Sequence, residues 1–167
     1  DKLHSLGHHI VGIDNMTGGY EDNISKEIEF HKIDCCELNK VQKVMKNIDV
    51  VYHCAATAHE GLSVFSPYEI TKNNYLASVS IFTAAINEKV KRIVYCSSMA
   101  RYGDLKTPFT EDMEPKPVDP YAISKVAAEK VLQNLCELNN IEYVIAVPHN
   151  IIGPKQKYDD PFRNVVS

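Results

Sequence analysis

A tyrosine and a lysine four residues apart, Tyr121 and Lys125, form the pattern in this sequence with the clearest chemical potential. On a helix, side chains at this spacing lie on one face. An unperturbed phenol has a pKa of about 10, which is too high for a base at neutral pH. A neighbouring ammonium would lower that pKa, so that the pair could exchange a proton with a hydroxyl or carbonyl oxygen. The bare spacing also fits a surface tyrosine above an exposed lysine.

A serine upstream of this pair strengthens the chemical interpretation. Ser98 lies 23 residues before Tyr121, directly after an apolar run that predicts a buried strand. Ligands of doubly wound parallel sheets bind outside the carboxyl ends of the strands. We therefore expect Ser98 at such an end, where its hydroxyl could bond the same substrate oxygen as Tyr121. A polar strand exit without a chemical role is the alternative.

Two aspartates end the first two predicted strands. A carboxylate in the place of Asp14 can bond an adenosine ribose and repel a 2′-phosphate. An ordinary turn formed by Asp14 and Asn15 fits the same residues equally well. Asp34 ends the next strand in the same way and could approach an adenine amino group.

The elements that must position these residues alternate between strands and helices, which predicts an α/β fold with a doubly wound parallel sheet. Strands are expected at 9–14, 28–34, 49–56, 91–98 and 142–150, and helices at 38–46, 70–87 and 121–139. The apolar run of the third strand predicts burial on both faces. Asp119 and Pro120 suit the start of the last helix. The chain begins with a helix end closed by Gly7 and stops within an amphipathic segment at 164–167, so we expect a sheet that is incomplete at both ends.

Composition excludes several classes of protein. Hydrophobic residues make up 44% and charged residues 24% of the 167, which is ordinary for a globular chain of one domain. A net charge of −4 gives no electrostatic reason to expect nucleic acid or an anionic membrane as partner. No apolar run approaches the roughly 18–20 residues that span a bilayer. We therefore expect a cytoplasmic protein.

The cysteines and histidines predict neither a disulfide framework nor a metal site. Five cysteines is an odd number, and the adjacent pair at 35–36 lacks partners at zinc spacing. Cys54, Cys96 and Cys136 lie in apolar stretches, where a free cysteine behaves as a small hydrophobe. His53 is expected to be a structural hydrogen-bonding residue.

Seven short motifs occur in order along the chain. They are GIDN (12–15), IDCCEL (33–38), HCAA (53–56), KNNYLAS (72–78), VYCSSMARYGD (94–104), PYAISK (120–125) and PHNIIGP (148–154). Together they resemble the extended short-chain dehydrogenase/reductases, in particular the NAD-dependent nucleotide-sugar epimerases and dehydratases. The resemblance implies a partial NAD-binding, Rossmann-like domain over 1–167, with the substrate-binding part starting after about residue 150.

The resemblance also implies a role for each matching residue. Ser98, Tyr121 and Lys125 would form the catalytic set, with Lys125 also bonding the nicotinamide ribose. NAD would be held by Asp14 and Asn15 at the adenosine ribose, Asp34 and Cys35 at the adenine, Cys54, Ala55 and Ala56 near the pyrophosphate and nicotinamide, Asn74 beneath the cofactor, and Pro148 with His149 at the nicotinamide. The nucleotide-sugar substrate would meet Thr57, Ser98 and Asn150, with His59 and Glu60 beside them.

The chain departs from the family pattern in three places. The sequence contains neither the strand with its GxxGxxG turn that opens the family fold nor the C-terminal half that completes the nucleotide-binding lid, and Val147 stands where many members have Arg. We therefore expect this piece alone to bind NAD weakly and to be inactive. The resemblance implies a homodimer of the whole protein, with the helices at 70–87 and 121–139 in a four-helix interface.

The residues after Ser98 favour one reaction within the family. Met99 and Ala100 stand where the 4,6-dehydratases carry an Asp-Glu pair, so dehydration is disfavoured. Epimerisation at C4 of a UDP-hexose needs only transient oxidation by bound NAD and one acid/base, which the catalytic set would supply. A UDP-glucuronate decarboxylase or another nucleotide-sugar dehydratase is the alternative, with Arg101 as the candidate carboxylate-binding residue. A non-catalytic NAD(H)-binding protein or an inactive fragment is the alternative of another class, although Tyr121 and Lys125 argue for catalysis.

Overall fold

The computed structural model describes residues 1–156, and the predicted segment at 164–167 lies outside them. Its strands are β1 Val11–Asp14, β2 Glu29–Lys32, β3 Val50–His53, β4 Arg92–Cys96 and β5 Glu142–Ala146. All observed pairings are parallel, in two sheets of order β1-β2 and β3-β4-β5. The α/β class and the parallel pairing are thus confirmed. Each strand is shorter than predicted, because the predicted ranges extend past the residues that pair with a neighbouring strand.

The helices flank these strands. They are α1 Lys2–Ser5, α2 Leu38–Val44, α3 Glu60–Ser63, α4 Pro67–Ile70, α5 Ala77–Asn87 and α6 Pro120–Asn139, with a π-helical turn at Thr71–Leu76 and 3-10 turns at Glu21–Asn23 and Met99–Tyr102. The start of α6 is as predicted, since the Asp119 carboxylate accepts a hydrogen bond from the Ala122 amide at 2.9 Å and Pro120 takes the first helical position. None of the helices within residues 1–156 is long and apolar enough to cross a membrane.

The hydrophobic core lies between the three-stranded sheet and helices α2, α5 and α6. Alternate strand residues, including His53, Ile93 and Tyr95, face these helices and are buried. The opposite face is open in the described part of the chain, where Val50 is 37% and Tyr52 is 55% exposed. The prediction that both faces of the third strand are buried is therefore wrong here, because the helices of residues 1–156 cover one face only.

Candidate active site

The end of β4 and the start of α6 bring Ser98, Tyr121 and Lys125 together. Tyr121 is 7% exposed, and its phenol interacts with the Ser98 side chain, which lowers the pKa of Tyr121. Ser98 itself accepts a hydrogen bond of 3.2 Å from the Ala100 amide. Lys125 is 3% exposed, and its Nζ donates a hydrogen bond of 2.8 Å to the carbonyl oxygen of Cys96. The same Nζ lies 6.0 Å from the centre of the Tyr121 ring. The convergence expected from helical spacing and from the strand end is present.

The electrostatics of the pair differ from the expectation. Burial raises the pKa of Tyr121, and the nearby Glu60 adds to the rise, whereas the interaction with Ser98 lowers it. Burial also lowers the pKa of Lys125 to about 8. The predicted net lowering of the Tyr121 pKa is therefore wrong, because the lysine is itself desolvated and points to a backbone carbonyl. Tyr121 is a protonated phenol at neutral pH in this structure, which is the form that donates a proton to a ketone.

The buried carboxylate of Glu129 contacts the residues that follow β4. Glu129 follows Lys125 by four residues on α6 and is 2% exposed. One carboxylate oxygen accepts a hydrogen bond from the Ser97 hydroxyl, and the other lies 3.3 Å from the Arg101 guanidinium. Sequence reasoning missed Glu129, although its spacing from Lys125 places it on the same helix face. Because Arg101 is held by Glu129 and does not line the cleft, its suggested role with a substrate carboxylate is not supported.

The loop after β3 is fixed by the π-helical turn. The buried Asn74 accepts a hydrogen bond from the Thr57 amide at 2.7 Å and donates one to the Thr57 carbonyl at 3.1 Å. Asn73 donates a further bond of 3.2 Å to the Thr57 hydroxyl. π-helical turns occur often at functional sites. Asn73 and Asn74 thus hold Thr57 and steady this loop.

His53 lies beneath the same loop, in the core. Its Nε2 is 2.8 Å from the Ser78 hydroxyl, and its ring stacks on Tyr95 with centroids 5.6 Å apart and meets Phe82 edge-on at 5.7 Å. Burial lowers the pKa of His53 to about 3. The structural role predicted for this histidine is confirmed.

Neutral burial of His53 predicts an acid-sensitive fold. The unfolded state binds a proton below a pKa of about 6.5 and the folded state does not, so this residue destabilises the fold as the pH falls from there toward 3. Between pH 6.5 and 5 the free energy of unfolding should drop by about 2 kcal/mol through this group, at about 1.4 kcal/mol per pH unit. Urea unfolding at both pH values measures the drop, and His53→Gln, which keeps a polar contact to Ser78, should remove it. An unchanged pH slope in the variant would show that His53 is not the titrating group.

The residues predicted for the adenosine end lie at the carboxyl ends of β1 and β2. The exposed Asp14 accepts a hydrogen bond of 2.7 Å from the backbone amide two residues on, and Asn15 forms a similar turn at 3.2 Å. Asp34 accepts one at 2.8 Å from Cys36, which lowers the pKa of Asp34. The side chain of Cys35 is buried in the core, so only its backbone could face an adenine.

A cleft of about 700 Å³ opens at the carboxyl ends of β3, β4 and β5. Of the predicted site residues it is lined by Cys54, Ala56, His59, Glu60, Ser98, Tyr121, Lys125, Pro148 and Asn150, with residues 151 and 153–156 along its rim. Ala55 packs toward the core. The backbone of Pro148 accepts a hydrogen bond of 3.2 Å from the Met99 amide, which ties the loop that carries His149 to the exit of β4. The cleft therefore gathers most of the predicted nicotinamide and sugar positions.

The prediction for the cysteines holds for one of the three. Cys136 is buried in the core. Cys54 is exposed and Cys96 is half-buried, and both line the cleft. They differ from the prediction because each follows or ends a strand at the edge where the sheet opens to the site.

Comparison with known proteins agrees with this geometry. A family model described as the NAD dependent epimerase/dehydratase family matches residues 1–167. A putative UDP-glucose 4-epimerase of Methanocaldococcus jannaschii is 30% identical over 159 residues, which are 93% of this chain and 52% of that protein. A dTDP-D-glucose 4,6-dehydratase of Homo sapiens is 33% identical over 131 residues, covering 77% of this chain and 37% of that one. The chain thus spans about half the length, or less, of the curated relatives it matches.

Solved structures show the same relationship in three dimensions. The UDP-glucose 4-epimerase of Thermotoga maritima, solved with UDP-glucose, superposes with a TM-score of 0.94 at 26% identity, over 99% of this chain and 55% of that one. The Thermus thermophilus UDP-glucose 4-epimerase, solved with NAD, gives a TM-score of 0.89 at 27% identity, over 93% and 52%. Sequence motifs, site geometry and fold agree, and the chain belongs to the NAD-dependent epimerase/dehydratase family.

Proposed function

We propose that the whole protein containing this chain interconverts the C4 epimers of a UDP-hexose, with NAD as a bound cofactor. The observation that carries the proposal is the convergence of Ser98, Tyr121 and Lys125 at the cleft, next to Met99 and Ala100, which supply no acid or base for dehydration. The relatives named UDP-glucose 4-epimerase support the same reaction.

The residues at the strand ends fit NAD. The exposed carboxylate of Asp14 suits a ribose diol, and the short side chains of Cys54, Ala55 and Ala56 leave the backbone after β3 open to close approach. Lys125 places an ammonium at the cleft wall, within reach of a second ribose. When bound, NAD supplies a reversible hydride acceptor for the sugar C4.

This chain's own residues supply the proton transfer and the orientation. The oxidation step needs Tyr121 as the phenolate, the form that the ammonium of Lys125 favours. The phenolate then accepts the proton of the C4 hydroxyl as the ketone forms and returns it to the oxygen on the reverse step. Ser98, whose side chain interacts with Tyr121, would hold the same oxygen in line with the phenol. Lys125 fixes the exit of β4 through its bond to the Cys96 carbonyl and favours the anionic form of the groups around it.

The reaction is tested by incubating the whole protein separately with UDP-glucose and UDP-galactose and following the epimer ratio chromatographically. Both reactions should converge on one ratio without net consumption of NAD. A 4-keto-6-deoxy sugar would instead identify a dehydratase, the activity named for the human relative. Release of carbon dioxide from UDP-glucuronate would identify a decarboxylase, and binding of NAD without turnover of any of these sugars a non-catalytic protein.

Asp14→Ala is expected to weaken NAD binding by roughly 10- to 100-fold, because a hydrogen bond to a charged group contributes about 1.5–3 kcal/mol. Affinity for NADP should change less, since the repulsion of its 2′-phosphate is lost as well. Calorimetric titration of both cofactors measures the two changes. Asp49→Ala, which removes an equal charge next to the amino end of β3, is the control and should leave both affinities unchanged. Equal affinity of the unmutated protein for NAD and NADP would contradict the assignment.

The resemblance further supports a homodimer, which we propose forms through the side of the molecule that carries α4, α5 and α6. Phe65, just before α4, is 82% exposed, and Ile123, on α6, is 52% exposed. Sedimentation of the whole protein should give twice the monomer mass, and Phe65→Asp should shift it toward the monomer. We also propose that the protein is cytoplasmic and that its substrate-binding part begins after about residue 150.

A further inference from the structure

Two cysteines of the cleft lie side by side on neighbouring strands. The register of β3 and β4 pairs His53 with Tyr95, so the next residues, Cys54 and Cys96, are neighbours where the strands end. Since His53 and Tyr95 face the helices, strand alternation directs the two cysteines to the opposite side, where both line the cleft. The two thiols are close enough to shift each other's pKa.

The surroundings make this pair chemically unequal. Interaction with the Cys54 thiol and with the ammonium of Lys125 lowers the pKa of Cys96 to about 6, although burial opposes the shift. The same interaction between the thiols raises the pKa of Cys54. Tyr121, from α6, is the other titratable group near Cys96 on this side, and Tyr95, which precedes Cys96 on β4 and points to the other face, interacts with it electrostatically. This asymmetry favours Cys96 as the thiolate of the pair and Cys54 as its proton donor.

The second cysteine pair of the chain provides an internal contrast. Cys35 and Cys36 are adjacent in sequence, but burial raises the pKa of each to about 11. Cys35 is part of the core, and Cys36 donates a hydrogen bond of 3.4 Å to the Lys72 carbonyl. Because the thiolate is the nucleophile, these two cysteines are unreactive at neutral pH.

We propose that Cys54 and Cys96 form a dithiol site that reacts with small-molecule disulfides of the glutathione type and closes to an intramolecular disulfide. The Cys96 thiolate attacks the reagent, its sulfur–sulfur bond breaks, and one thiolate leaves while a mixed disulfide forms on Cys96. Cys54 then gives its proton to the departing thiolate and attacks the Cys96 sulfur, which expels the second thiol. The two electrons leave with the two reduced thiols.

The backbone accommodates this bond. Paired strands lie about 4.8 Å apart, and disulfides span Cα separations of about 4.4–6.8 Å. Because the register makes Cys54 and Cys96 neighbours at the ends of paired strands, their Cα separation is expected to fall within this range. A disulfide on a cleft surface is open to reduction by the same class of thiol, which makes the modification reversible.

The site is tested by treating the whole protein with glutathione disulfide, alkylating the remaining thiols and mapping the peptides by mass spectrometry. The protein is used as isolated and after charcoal removal of bound nucleotide. The crosslinked Cys54–Cys96 peptide is expected in at least one preparation, with Cys35, Cys36 and Cys136 alkylated. Absence of the crosslink from both preparations overturns the proposal, and this readout depends on no variant.

Single variants separate the two roles. Cys54→Ser should stop the reaction at one glutathione adduct on Cys96, and the rate of that adduct should rise by less than about 1.5-fold between pH 7 and 8.5, against about 15-fold for an ordinary thiol. Cys96→Ser should leave Cys54 reacting slowly and with the steep pH dependence. Cys136→Ser is the control and should behave as the parent. Equally fast reaction of the Cys96→Ser protein at pH 7 would overturn the assignment of the attacking thiolate.

Discussion

Tyr121→Phe should lower kcat for UDP-hexose epimerisation by roughly 10²–10⁴-fold, because it removes the oxygen that exchanges a proton with the sugar. The ring stays in place, since phenylalanine fills the same buried position beside Ser98. The affinity for NAD should change little, because the phenol contributes to the reaction more than to cofactor binding. Initial rates from each pure epimer, with calorimetric titration of NAD, measure both quantities.

Tyr68→Phe is the matched control for this variant. Tyr68 lies on α4, is largely exposed and does not line the cleft, so the same loss of a hydroxyl there should leave kcat unchanged. Equal thermal stability of the two variants would show that any loss at Tyr121 is chemical. Retention of more than a tenth of the parent's kcat by Tyr121→Phe would contradict the assignment of Tyr121 as the acid/base.

Glu129→Gln should lower the free energy of unfolding by about 3 kcal/mol, because it leaves the guanidinium of Arg101, which is 15% exposed, without its buried counter-charge. The substitution keeps the volume of the side chain and an oxygen that can accept the Ser97 hydrogen bond, so the loss reports mainly on charge. The midpoint of urea unfolding, with the slope of the transition held constant, measures it.

A double variant and a surface pair complete this experiment. Adding Arg101→Met to Glu129→Gln removes the uncompensated charge and should recover most of the lost stability. Glu142→Gln breaks the exposed ion pair with Arg92 and should change stability little. If the buried and the exposed substitution cost the same, Glu129 would not hold the strand exit in the way that its contacts indicate.

Much of the fold follows from local patterns. The five strands fall inside the five apolar runs, and α6 begins where Asp119 and Pro120 predict. The one-sided burial of β3 could not be predicted from its sequence. An apolar run shows that a strand can be buried on both faces, but not which helices pack on it. The π-helical turn before α5 is also absent from the pattern, since one added residue leaves the spacing of the apolar side chains on each side intact.

The candidate active site, like the fold, could be predicted from the sequence only in part. Ser98, Tyr121 and Lys125 could be brought together from the sequence because a strand end and a helical spacing of four fix their relative places. The direction of the Tyr121 pKa could not be predicted, since it depends on how deeply the ring is buried. The pairing of Cys54 with Cys96 depends on the register between β3 and β4. The paired residues of these strands are 42 positions apart in the sequence, so their alignment is decided by packing and not by a local pattern.

Because of the π-helical turn at Thr71–Leu76, the number of residues in this segment cannot change without disturbing the site. Such a turn is equivalent to an α-helix that has gained one residue, and each residue of an α-helix turns the chain by about 100°. Because Phe82 fixes α5 in the core, deleting one residue between Asn74 and α5 would rotate Asn74 away from Thr57 and release both of their hydrogen bonds. Conservative substitutions of exposed side chains in this turn should be tolerated, whereas the deletion of a single residue should not.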